Sequence, residues 1–327
     1  MAILNYPPAA AHLPTPTPTP TWSSDEDSDH TSSSNPEPIS VSTSFYPGSH
    51  SQPHNIVFKT SDSVLFYLNI PAMQRLSHTA FNSLIPPNTT TSSSEEDQAI
   101  DVPESSAVFD VLAHALYDIS CAAHTHPLEV ILSAIDRMSL YSITPTHLIF
   151  PGSHLYQLLL NHASTSPLQI YALAGQHGIH ELAVHSSQYS MLYPISAMTD
   201  DLACRTGAVY LKKLLVLHTF RHDTFKRIIS RPLELHPSSS DCDPHERAEL
   251  EYAWVVATTG LFSRKGSVAG TSSSQVREAL SPPADKTSCP KCKASLKNQV
   301  EGIIFQWMGA KVKCTIGSKM AQANGGV

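Results

Sequence analysis

The chain is short of charge, aromatic rings and glycine. Asp, Glu, Lys and Arg make up 15% of its 327 residues and aromatic side chains 7%, with 13 Gly against 25 Pro. Stiff polar segments diluting something globular fit that balance, which excludes a collagen-like, coiled-coil or wholly disordered chain. No stretch approaches the roughly 18 consecutive apolar residues of a membrane-spanning helix, and the N-terminus carries neither a basic region nor an apolar run. An intracellular protein, neither secreted nor inserted in a membrane, is expected. Six Cys are too sparse for a disulfide scaffold. Two of them stand as Cys289-Pro290-Lys291-Cys292, which fits a reducing compartment with free thiols or a metal. The net charge of −7 gives no global sign of nucleic-acid binding. Enzyme signatures are missing too: there is no Walker phosphate loop, GxGxxG, GxSxG or HExxH, so no catalytic residue and no small-molecule substrate are expected.

Residues 1–54 contain no Lys or Arg and run through Pro14–Pro20, an alternation of Pro and Thr, and the acidic Ser23–Asp29. They read as a disordered spacer with extended polyproline stretches. From Asn55 the composition changes. Ile56–Thr60 and Val64–Ile70 are β-branched and aromatic runs around a three-residue turn, the pattern of a hairpin, with Val64, Phe66, Leu68 and Ile70 on one face. Met73, Leu76, Ala80 and Leu84 then recur at helical spacing up to Pro86-Pro87. An acidic insertion over 88–97, a short strand over 99–102 and a helix capped by Ser105 or Ser106 follow. Further helices are expected over 127–136 and 155–160, and from Pro167, behind the cap Ser166, to Gly178, which supplies a left-handed C-terminal residue. Cys121 and Cys204 lie among apolar helical residues and read as buried thiols.

This order of elements resembles the BTB/POZ domain, in the divergent form of mushroom-forming fungi. The stretches that carry the likeness are 102–117, 166–183, 201–218 and 307–316, the last two similar to the helical region that accompanies BTB in the same proteins. Asn55 stands where Asp often opens the first strand, and Asn69 where His often ends the second. The resemblance implies an α+β fold, a small sheet with helices over 55–193, followed by an α-helical C-terminal region over 194–316; by composition 263–288 reads as a polar loop with room for one short helix and 317–327 as a flexible tail of small residues. It implies a noncatalytic protein-interaction module that recruits protein partners and forms a homodimer through Met73, Leu76, Ala80 and Leu84.

Two constellations stand outside the resemblance. Cys289 and Cys292 can supply two thiolates of a tetrahedral zinc site, and Cys242 with His245 offers a second pair at the same spacing. His236 or Cys314 can replace a member. The alternative is unligated thiols. Separately, Arg205, Lys212, Lys213, Arg221, Lys226, Arg227 and Arg231 make one helical region basic, and the bias returns over 286–319. A nucleic-acid or chromatin role through 205–231 and 286–319 is the rival reading. The solvated back of an amphipathic helix facing inward through Tyr210, Leu214, Leu217, Phe225 and Ile228 is favoured over it.

Overall fold

The structure is a computed structural model describing residues 39–85, 99–237, 242–262, 267–310 and 312–313. The spacer over 1–38, the acidic insertion, Cys314 and the C-terminal tail lie outside the described residues. The chain is mostly helical, with a small four-stranded mixed sheet near the N-terminus and a helical C-terminal region.

The hairpin forms where period-two patterning places it, as β2 (Ile56–Lys59) and β3 (Val64–Leu68), paired antiparallel with Phe58 opposite Phe66. Before it comes β1 (Ser40–Val41), which runs parallel to β3; β4 (Ile100–Asp101) lies parallel to β2, completing the order β1-β3-β2-β4. Ordered structure therefore begins well before residue 55. Phe45 is fully buried, its carbonyl accepting from Tyr67 N–H, so the segment behind β1 is part of the core.

The helix expected over Met73–Leu84 is shorter. α1 covers Ile70–Gln74, capped by Asn69, whose side chain accepts from Ala72 N–H. The chain then turns, and farther on Phe81 takes a left-handed conformation (φ 58°) and gives its N–H to the Tyr141 carbonyl at 2.9 Å. Met73 and Ala80 are fully buried, and Leu76 and Leu84 pack partly buried against the same core. Of the four side chains expected at a dimer face, Met73 and Ala80 are thus taken up by the chain's own interior, while Leu76 and Leu84 keep part of their surface. α2 (Ser106–Tyr117) starts at Ser105, yet its cap comes from the hairpin turn: Asp62 accepts from Ser106 N–H at 2.9 Å and from its hydroxyl at 2.6 Å. A carboxylate from the turn thereby fixes the helix to the sheet.

α3 (Leu128–Arg137), α4 (Pro145–Leu148), α5 (His154–His162), α6 (Pro167–His177) and α7 (His180–Ser190) build the rest of the first core. Gly178 ends α6 with φ 70°, the left-handed residue the sequence calls for. α8 (Asp200–Ile229) breaks at Gly207 (φ 73°, ψ 153°). Its Tyr210, Leu214 and Leu217 still belong to the first core, while Phe225, Ile228 and Ile229 open a second, so the cores divide inside α8 rather than near residue 193. The exposed Cys204 departs from the buried position expected of it.

α9 (Pro244–Phe262), α10 (Ser273–Leu280) and α11 (Pro290–Met308) enclose the second core. The polar stretch over 263–288 holds α10 as its short helix, where Ser272 and Gln275 form a reciprocal capping box and Val276 and Leu280 are fully buried. Two basic residues of α8 are used internally. Arg205 places one guanidinium nitrogen 2.7 and 2.9 Å from the Asp136 carboxylate oxygens of α3. Arg221 is buried, stacks 3.7 Å from the Trp307 ring centre and donates to the carbonyls of Ala269 and Ala310. Burial lowers the Arg221 pKa to about 10. Among the described residues no helix is long and apolar enough to cross a membrane.

Candidate metal centre

Three short stretches converge at one end of the second core. The extended segment after α8 carries His236, Cys242 lies just ahead of α9, Cys289 occupies the N-cap position of α11, and Cys292 stands in that helix's first turn. Pro290 suits the first helical position, where its missing N–H has no intrahelical partner to lose. Both α11 sulfurs therefore sit at a helix N-terminus, where free backbone N–H groups and the helix dipole favour a thiolate.

Cys242 Sγ is 3.6 Å from Cys292 Sγ, and His236 Nε2 is 3.4 Å from Cys289 Sγ and 3.3 Å from Cys292 Sγ. The four ligand atoms all lie within 4.8 Å of one another. A tetrahedral zinc ion with bonds of about 2.3 Å to sulfur and about 2.0 Å to nitrogen holds sulfurs about 3.8 Å apart and sulfur about 3.5 Å from nitrogen. The cluster is thus already near the size of a Cys3His zinc site. All three Cys are buried and His236 is half-buried, so this set can hold a zinc ion closed off from solvent.

The surroundings orient the ligands. His236 Nδ1 lies 2.7 Å from the Pro237 carbonyl oxygen. A carbonyl can only accept, so Nδ1 carries the hydrogen and Nε2 turns a lone pair toward the sulfurs. Arg247 donates to the His236 carbonyl at 2.8 Å. Glu246 accepts from Ser288 N–H at 2.6 Å, its hydroxyl at 3.0 Å and the Thr287 hydroxyl at 3.2 Å, and so ties the approach to Cys289 onto α9. Those Ser288 donors, the backbone N–H first, hold the Glu246 carboxyl below its ordinary pKa.

The thiols differ in acidity. Cys292 N–H aimed at the Cys289 sulfur, helped by His236, lowers Cys289 to about 6. Burial, then Cys242 and Cys289, push Cys292 up to about 12. Of the two α11 thiols, Cys289 is therefore the one that ionises first, while Cys292 keeps its proton. A divalent ion compensates more negative sulfurs and displaces their protons, which couples its binding to folding.

Of the expected ligands, Cys242, Cys289 and Cys292 come together and His245 does not. His245 sits in the first turn of α9, its N–H given to Asp243 Oδ1 at 2.9 Å and its exposed ring 3.8 Å from Glu249 Oε1. The helix start at Pro244 points it outward, away from Cys242 on the core side. His236, the substitute the sequence offers, takes the fourth place. Glu246, Arg247 and Pro237 act only through folding, and no spacing in the sequence marks them. A scan against protein-family models finds no match for this chain, and searches of curated proteins and of solved structures find none either.

Proposed function

We propose that this chain is a noncatalytic protein-interaction module, a BTB/POZ-like sheet-and-helix unit joined to a zinc-stapled helical region that receives an apolar segment of a partner protein. Support for the first part is the order of elements: a hairpin, a helix, a short strand parallel to the first hairpin strand, and a helix ending in Tyr117, whose hydroxyl accepts from Asn69 N–H at 2.6 Å. Zinc, held by His236, Cys242, Cys289 and Cys292, ties the start of α11 to the segment between α8 and α9. Its role is structural, since four protein ligands leave no open position for chemistry.

The observation that carries the interaction reading is the outer face of α9. Tyr252, Val255 and Val256 are 73%, 58% and 53% exposed. Tyr252 and Val256, one turn apart, line a groove of about 530 Å³ with Ala279 and Pro283, and Glu249 and Lys286 also border it. An apolar groove between helices with charges of both signs at its border suits an amphipathic helix of a partner. Self-association through Met73, Leu76, Ala80 and Leu84 is not part of the proposal, because the core takes up Met73 and Ala80.

The test compares partners recovered with wild-type chain, Val256→Asp, Tyr252→Ala and the remote exposed control Leu140→Asp. Recovery of at least one protein should fall about tenfold or more with both groove variants and stay unchanged in the control. A partner set indifferent to Val256 and Tyr252 would overturn the proposal.

A further inference from the structure

A second cluster of metal-ligating side chains lies in the first core, far in sequence from the cysteines. Asp110, in the middle of α2, is buried. Its ion-pair partners among the described residues are three imidazoles: Oδ2 lies 2.8 Å from His126 Nε2, 3.3 Å from His114 Nδ1 and 3.7 Å from His124 Nδ1. A buried carboxylate normally requires a full positive charge nearby.

The rings are prepared unequally. His114 Nδ1 also lies 2.8 Å from the Asp110 backbone carbonyl, an acceptor that takes a hydrogen from it, so that nitrogen is no ligand. His124 Nε2 is 2.8 Å from Ser44 Oγ. With Nε2 donating to that hydroxyl, Nδ1 presents a lone pair toward Asp110. His124 and His126 stack with ring planes 10° apart, one residue on either side of Thr125. Thr125 itself is left-handed (φ 42°, ψ 47°), a strained conformation for a β-branched residue. That turn brings both imidazoles onto one carboxylate oxygen, and the ligand atoms of Asp110, His124 and His126 lie within 4.8 Å of one another.

We propose that Asp110, His124 and His126 form a second metal site, for a divalent transition ion of the zinc, cobalt or nickel class, with water completing its coordination. Two imidazoles and one carboxylate suit such ions better than calcium or magnesium, which take oxygen donors. Three protein ligands leave a position open, and it faces outward because His124 is the most exposed of the three, its side chain 27% accessible. The ion would pin the 121–126 turn to α2 and, through Ser44, the segment following β1.

Cobalt(II) titration of the full chain separates the two sites, since thiolate ligands give intense sulfur-to-cobalt absorption and a His2Asp set gives none. Wild type should take two equivalents, one without the sulfur signature. Cys289→Ser/Cys292→Ser should keep that one. His124→Ala/His126→Ala should lose it and retain the thiolate band, and Ser44→Ala should weaken it about tenfold. Should the Cys variant fail to fold, wild type decides alone: a single equivalent, all of it thiolate-bound, overturns the proposal. Retention of the second equivalent in His124→Ala/His126→Ala overturns it equally.

Discussion

His236 and His245 are nine positions apart and chemically identical, yet the fold gives them opposite roles. The Pro237 carbonyl fixes the tautomer of the first toward three sulfurs, and a helix start turns the second to solvent. His236→Ala should therefore lower zinc affinity by 100-fold or more, as expected for loss of a ligand where second-shell changes alone cost about 10–100-fold. His245→Ala should leave affinity within about twofold of wild type, read by competition with a chromophoric chelator. Equal effects of the two variants would remove His236 from the site. A different imbalance surrounds Glu104, which is buried without a hydrogen-bond partner on either carboxylate oxygen, Arg137 Nε being 4.0 Å away. Burial raises its pKa. Its contribution to stability is thus complete below the unfolded carboxyl pKa and disappears as pH rises through the folded one. Glu104→Gln, neutral at every pH, should melt on the order of 1–3 °C higher at pH 7 and match wild type near pH 4. A lower melting temperature at pH 7 would show the ion pair with Arg137 to be the larger effect.

At the scale of elements, close approach matters as much as propensity. α6 packs on α8 so tightly that a Cβ on Gly175 would stand 2.4 Å from the Thr206 carbonyl oxygen. Backbone cannot yield as a side-chain tip does, so Gly175→Ala should cost on the order of 2–3 kcal/mol, measured by urea unfolding. A neutral effect would mean that α8 slides freely over α6. Elements whose cause is local are legible in the sequence: the hairpin by its alternation and the α6 terminus by Gly178. Those whose cause is distant are not. β1 is only two residues long, set among Ser and Thr, and pairing with β3 creates it. The spacing from Met73 to Leu84 does not become one helix, and near its far end the Tyr141 carbonyl, 60 positions on, takes the Phe81 N–H that a helix would have used. The cysteine trio is visible as a spacing, whereas its imidazole depends on how the chain leaves α8. The Asp110 cluster left no trace, since His-x-His in a loop, with a carboxylate one turn into a helix, has no distinguishing period.

The described residues form two cores, and the cysteines of the candidate metal cluster belong to the second, together with Trp254 and Trp307. The third of the chain's Trp, Trp22, lies outside the described residues. In a Trp22→Phe background tryptophan emission should therefore report the second core through Trp254 and Trp307. Chelation with 1,10-phenanthroline should red-shift the tryptophan emission and lower its thermal midpoint by on the order of 5 °C or more. Unchanged emission on complete metal removal would mean that the second core closes without zinc. The part of α8 beyond Gly207 supplies Leu214 and Leu217 to one core and Phe225 and Ile229 to the other. Opening of the second core would strip the last turns of α8, from Phe225 to Ile229, of the contacts that hold them. If the proposed metal holds the second core closed, α8 would be one element through which its loss could reach the first core.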